Sequence, residues 1–195
     1  MKFPIVSAIV VAAAVAAMIG LGVWQLHRAD WKRALLERYA EAPRLPPVAW
    51  PSVPVKPETL YFRRASGMCL EVTGWRAIAG HNLKDEPGWS HIAGCRTGAE
   101  GPGMQVDAGW SKLSSAPAWH GGQVSGIIAP DSKFRMRLVA AQAAPGLEPS
   151  QPPTLESIPN NHLLYAIQWF SFAAVALIIY ALALRRRMRE GAKRP

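Results

Sequence analysis

Two short stretches of this 195-residue chain carry the side chains best suited to holding a ligand. The first reads Gly20-Leu21-Gly22-Val23-Trp24-Gln25-Leu26-His27-Arg28, and on a helix Gly20, Trp24 and His27 share a face. The second reads Asn160-Asn161-His162-Leu163-Leu164-Tyr165-Ala166-Ile167-Gln168-Trp169-Phe170. Here Asn can cap a helix start, and His162, Ala166 and Trp169 share a face. Glycine lets another helix, or a flat ligand, come close. An imidazole at an apolar boundary, beside small residues and aromatics, is what an iron porphyrin needs. A plainer reading stands beside that one. Trp24, Trp31, Tyr165 and Trp169 suit the aromatic belt of a membrane interface, and His162 suits a cap or a headgroup contact.

The elements that carry these stretches are two apolar spans. Residues 5–26 and 163–184 contain no formally charged side chain. Twenty-two helical residues rise about 33 Å, enough for a hydrocarbon core of roughly 30 Å. The first span can also be read as a cleaved signal peptide, but its small residues, Ala12 to Ala17, lie inside the apolar run rather than after it. A retained anchor is expected.

The arginines orient the pair. Arg185, Arg186, Arg187, Arg189, Lys193 and Arg194 follow the second span. Positive flanks stay cytoplasmic, so the 185–195 tail and, with two spans, residues 1–4 are expected on that side. His27-Arg28 and Lys32-Arg33 pull the other way on the first span, but the C-terminal cluster is denser. Residues 27–162 are then extracytoplasmic, in a periplasm, and the protein belongs in a bacterial inner membrane. The net charge of +9 fits this plan. Residues 29–162 hold 14 Lys/Arg against 12 Asp/Glu, so most of the excess lies at the ends. It reads as a topology signal and a contact for membrane lipid, not as a nucleic-acid surface.

The fold class expected is a membrane α+β protein, with a β-rich antiparallel sheet or small barrel between two terminal transmembrane helices. Asp30 to Tyr39 prolong the first helix to about residue 42. Pro43, Pro46, Pro47, Pro51, Pro54 and Pro57 make a spacer over 43–58, either a free linker or a strip laid along the domain. Within 59–142, short β-prone runs punctuated by Gly, Pro, Asn and Asp predict strands at Leu60–Ala65, Met68–Thr73, Ser90–Cys95, Met104–Trp110, Gln123–Ile128 and Phe134–Ala140. A second Pro-rich stretch, 143–159, returns to the membrane. Cys69 and Cys95 are the only cysteines, and in an oxidising compartment they form either a disulfide or two buried thiols.

No nucleophile elbow, zinc-protease helix or phosphate loop occurs, so a non-enzymatic protein is expected. His81, His91 and His120 are isolated and read as surface or loop histidines.

The two boundary motifs together resemble the Surfeit-locus (Surfeit locus protein one) family of cytochrome c oxidase assembly factors. Gly22, Trp24, Gln25, Leu26, Arg28 and Lys32 match its entry motif, and Asn160-Asn161-His162-Leu163, Tyr165-Ala166 and Trp169-Phe170 its exit motif. Tyr61-Phe62-Arg63-Arg64 resembles its first strand. The central Arg-Gly-Trp-Val-Pro-like run of that family is reduced here to Gly109-Trp110. The resemblance implies a chaperone in respiratory-chain biogenesis that binds haem a transiently and aids its insertion. Its partners would be the oxidase catalytic subunit and the haem a synthesis enzyme. His162 would be the iron ligand, with Trp24, Gln25, Arg28, Tyr165 and Trp169 around the porphyrin or its propionates and His27 a conceivable second ligand. An Arg fork suits a carboxylate. The alternative is a scaffold that holds an oxidase intermediate without binding haem.

Overall fold

The computed structural model describes residues 5–53 and 55–192. Lys2 with the rest of the N-terminal four residues, Pro54 of the spacer, and Lys193 and Arg194 of the tail lie outside the described residues. The chain divides into two compact units, residues 1–35 with 159–195, and residues 36–158.

The first unit is a pair of helices. Helix α1 is Ile5–Glu41 and helix α2 is His162–Ala192. The last turns of α1 belong to the second unit. Both helices are long and apolar enough to cross a membrane, as a membrane protein requires. The arginines after residue 184 continue α2 as helix rather than leaving it as a loose tail.

The second unit is a seven-stranded sheet. Its strands are β1 (Val48–Ala49), β2 (Arg64–Cys69), β3 (Glu71–His81), β4 (Pro87–Arg96), β5 (Met104–Ser111), β6 (Gly122–Asp131) and β7 (Arg135–Ala140). The order is β1-β2-β6-β7-β5-β4-β3. Only Leu70 separates β2 from β3, and its N–H donates to the Arg96 carbonyl at 2.9 Å. One nearly continuous run thus pairs with β6 through its first half and with β4 through its second. That bend curls the sheet round into a small barrel, leaving few open edges. The sheet is mixed, which corrects the antiparallel expectation. The β6–β7 hairpin inserts between β2 and β5, so β7 lies parallel to β5, and β1 lies parallel to β2.

Four predicted strands, from Ser90, Met104, Gln123 and Phe134, fall on β4 to β7. The other two are displaced. Pro57 opens a 3-10 turn, Pro57–Thr59, and Phe62 has φ 65°, a left-handed conformation that ends any strand over Leu60–Ala65. Met68–Thr73 straddles the bend at Leu70, and the long edge strand β3 continues to His81. His91 is a correction too. It lies within β4, 1% exposed, with Nε2 at 2.9 Å from the Ser111 hydroxyl.

Neither Pro-rich stretch is a free linker. Trp50 N–H donates to the Ser66 carbonyl at 2.7 Å and its indole N–H to the Gly103 carbonyl at 2.9 Å. The returning stretch crosses the barrel at Trp110, whose N–H donates to the Glu148 carbonyl at 2.7 Å. Gly109 sits beneath that crossing at φ +139°, where a Cβ would meet the Glu148 carbonyl at 2.8 Å. Trp110 itself is 2% exposed. The surviving Gly-Trp pair is therefore a crossing point and a core side chain.

The barrel is fastened twice more. Cys69 and Cys95 form a disulfide, Cα–Cα 5.1 Å, across a separation of 26 residues. A loop of that size contributes about 3 kcal/mol. The second fastening is a buried polar chain. Asp131 accepts from Arg76 and lies 3.6 Å from Arg137, and Arg137 lies 3.6 Å from Asp107. Asp107 in turn accepts from the Ser150 hydroxyl at 2.6 Å, tying the return stretch to β5.

Burial pushes the Asp107 carboxyl up to about 6, against the opposing pull of Ser150 and Arg137. The folded state then holds a proton that the unfolded chain releases, so this group's contribution to stability falls as pH rises from about 4 to 6. The drop is roughly 3 kcal/mol. His91, lowered by burial, works the opposite way as pH approaches its ordinary value. Asp107→Asn keeps the His91 effect and removes only the Asp107 slope. The difference in denaturation midpoint between wild type and Asp107→Asn should therefore change across pH 4 to 6 and level off above. A constant difference would refute the assignment.

Candidate functional site between the terminal helices

Contact between α1 and α2 follows a seven-residue rhythm. On α1 the covered or half-covered positions are Ala8, Val11, Val15, Met18, Gly22, Gln25, Ala29 and Lys32. On α2 they include His162, Ala166, Trp169, Ala173, Ala176 and Tyr180. Alternate steps of three and four keep one seam of each helix facing the other. Small residues dominate it, with Ala29 4%, Ala166 0% and Ala173 4% exposed. In a membrane, where no hydrophobic force drives helices together, such residues allow close van der Waals packing.

Gly22 makes the closest approach. A Cβ there would meet the Phe170 ring at 2.5 Å. The space that glycine leaves is thus taken by a helix side chain and not by a flat ligand. Since Gln25 meets His162 while Gly22 meets Phe170, the helices run antiparallel.

The polar pair in this seam is His162 and Gln25. His162 Nδ1 and Gln25 Oε1 are 2.8 Å apart. The Asn161 carbonyl accepts from the Tyr165 N–H at 3.2 Å, starting the helix just before His162. Asn160 Oδ1 is buried with no hydrogen-bond partner. Trp169 is half-buried, stacked edge-to-face on Phe172 with ring centres 6.2 Å apart.

The remaining boundary residues point elsewhere. Trp24 is 56% and Tyr165 52% exposed. Arg28 is exposed and lays its guanidinium over Trp31, 4.2 Å from the ring centre. Gly20 and His27 are exposed as well, so the Gly20–Trp24–His27 face is an outward one. Of the residues singled out from sequence, the fold brings Gln25, His162 and Trp169 onto one seam and leaves Trp24, Arg28 and Tyr165 off it. Phe170 stands in the sequence only as part of the exit motif, and of the two Asn residues that could cap α2, Asn160 leaves its Oδ1 without a partner. The repeat Val15–Gly22–Ala29, answered by Ala166–Ala173, is the signal that marks the seam.

The SURF1 family model matches residues 12–174, both sides of this seam and the whole barrel. The chain belongs to the SURF1 family. That family is associated with cytochrome oxidase assembly, and two apolar terminal helices suit a membrane member of it. A comparison with curated proteins finds no match.

Proposed function

We propose that this SURF1-family protein is a non-enzymatic assembly factor that binds haem a through His162 and passes it to the oxidase catalytic subunit. The observation that carries the reading is the His162–Gln25 pair. It is an imidazole set in a largely apolar helix seam, with one ring nitrogen engaged and the other left as an iron donor. The donor chemistry fits a single-ligand haem, which a carrier can release. The orphaned Asn160 oxygen fits a polar group at the same end of α2. The tight Gly22–Phe170 contact argues against a macrocycle wedged deep between the helices. Trp169 shares the seam with His162 and would flank the macrocycle, whereas Trp24, Arg28 and Tyr165 face away from the seam and would meet the macrocycle or its propionates only if it lay outside the helix pair.

In this reading the protein sits in a bacterial inner membrane with both termini cytoplasmic and residues 27–162 periplasmic. Three features support that placement: the antiparallel helices, the arginines of 185–189, and a disulfide suited to an oxidising compartment. The haem a synthesis enzyme is the expected donor.

The test is the absorption spectrum of the intact protein, co-expressed with a haem a source and purified in detergent. A stoichiometric haem a Soret band is expected. A colourless protein that still crosslinks to the oxidase would favour the second reading, a scaffold. The outward Trp24 and Tyr165 favour that alternative, as faces open to a partner helix.

A further inference from the structure

The amide oxygen of Gln25 can only accept a hydrogen bond, so at 2.8 Å it is His162 Nδ1–H that donates. A neutral imidazole has one N–H, and fixing it on Nδ1 leaves the lone pair on Nε2. We infer that Gln25 is the positioning residue for His162. It acts on the ring and not on the ligand, holding the Nδ1–H tautomer so that Nε2 is the nitrogen offered to iron. This rests on the haem-binding reading above.

Three observations support a lasting constraint rather than a passing contact. Gln25 occupies a seam position between Gly22 and Ala29, where the backbone of α1 is pinned by the Phe170 ring. Ala166, one turn after His162, is fully covered and fixes the start of α2 in the same way. Both polar groups are half-buried in a seam made mostly of apolar residues, where separating them costs each a hydrogen-bond partner. The pairing also follows a general rule for metal-bound histidine. The nitrogen that does not bind metal donates to an oxygen, which orients the ring and raises its basicity.

The test uses the intact protein, labelled with ¹⁵N-histidine and reconstituted in lipid nanodiscs without haem. Long-range ¹H–¹⁵N spectra read the protonated nitrogen of His162, its signals identified by their loss in His162→Ala. Wild type should show protonated Nδ1 and bare Nε2, and Gln25→Leu should show a mixture of tautomers. Titration with ferric protoporphyrin should then give a ten- to a hundredfold weaker affinity for Gln25→Leu, on the order typical of lost outer partners. Gln25→Glu, which keeps the acceptor, should restore affinity and lower the haem midpoint potential.

Protonated Nε2 in the wild type would overturn the inference, and that measurement needs no variant to fold. An unchanged tautomer and affinity in Gln25→Leu would also overturn it. If His162→Ala binds the porphyrin as wild type does, the haem reading itself fails. If His162→Ala loses binding while Gln25→Leu does not, only the role of Gln25 fails.

Discussion

His162→Ala, expressed with a haem a source, is expected to purify with at least roughly tenfold less haem than wild type and without its Soret band. The argument is one of placement. Among the described residues, His162 is the histidine whose ring lies on the α1–α2 seam with one nitrogen held by a neighbouring helix. His27 points outward from α1 and His91 is locked in the barrel core on Ser111. Gln25 and Asn160, the polar groups that would remain, are oxygen donors poorly matched to haem iron, which takes imidazole, thiolate, thioether or phenolate. The substitution also leaves the Gln25 amide without its partner, at about 1–3 kcal/mol. Helix content by circular dichroism should therefore be recorded alongside the spectrum. Undiminished haem with an unshifted Soret band in a folded variant would rule out His162 as the ligand.

The second large effect is expected in the barrel. Asp131 has a side chain only 1% exposed and accepts from Arg76 and from the N–H groups of Lys133 and Phe134, each of these two at 2.9 Å. Burial raises its carboxyl, but Arg76 and the two turn N–H groups outweigh that and hold it below the ordinary carboxylate range. The carboxylate is thus needed in the ionised form. Asp131→Ala removes the anion between Arg76 and Arg137 and leaves two partly covered guanidinium groups facing each other. Breaking a buried pair from one side costs about 3–5 kcal/mol. The β6–β7 turn loses its cap at the same time. A fall of that size in the urea unfolding free energy of the intact protein is the expected result. Asp131→Asn should fall less, because its amide oxygen still accepts from the turn. A change within 1 kcal/mol for Asp131→Ala, on the order of a surface substitution, would show that the ion pairs contribute nothing net.

Asp107 and Asp131 belong to one chain of buried groups yet shift in opposite directions. The difference lies in their partners. Asp131 has a guanidinium and two N–H donors against its carboxylate. Asp107 has the hydroxyls of Ser150 and Ser90, the Gly109 N–H and a more distant guanidinium, which together do not offset its deeper burial. Local sequence supplies the two turn N–H donors of Asp131 but not its cations, which come from β3 and β7.

What the sequence by itself determined are the features that follow from local composition and period. Uncharged runs of membrane-crossing length mark both helices. Paired motifs at their ends mark the SURF1 family, and Gly-, Pro- and Asp-punctuated runs mark β4 to β7. These depend on one residue and its near neighbours. The tertiary structure alone decided the pairings. That β2 and β3 are one strand bent at Leu70, that β7 lies parallel to β5, and that both Pro-rich stretches are woven onto the barrel all depend on hydrogen bonds between distant residues. The same holds at the site. Gln25 and His162 lie 137 residues apart, and only the seam set by Gly22, Ala29, Ala166 and Ala173 makes them partners. Trp24 and Arg28 share their motif with Gln25 but not its face of the helix. A 3.6-residue turn places Trp24 about 100° to one side of Gln25 and Arg28 about 60° to the other, which leaves Trp24 exposed and Arg28 lying over Trp31.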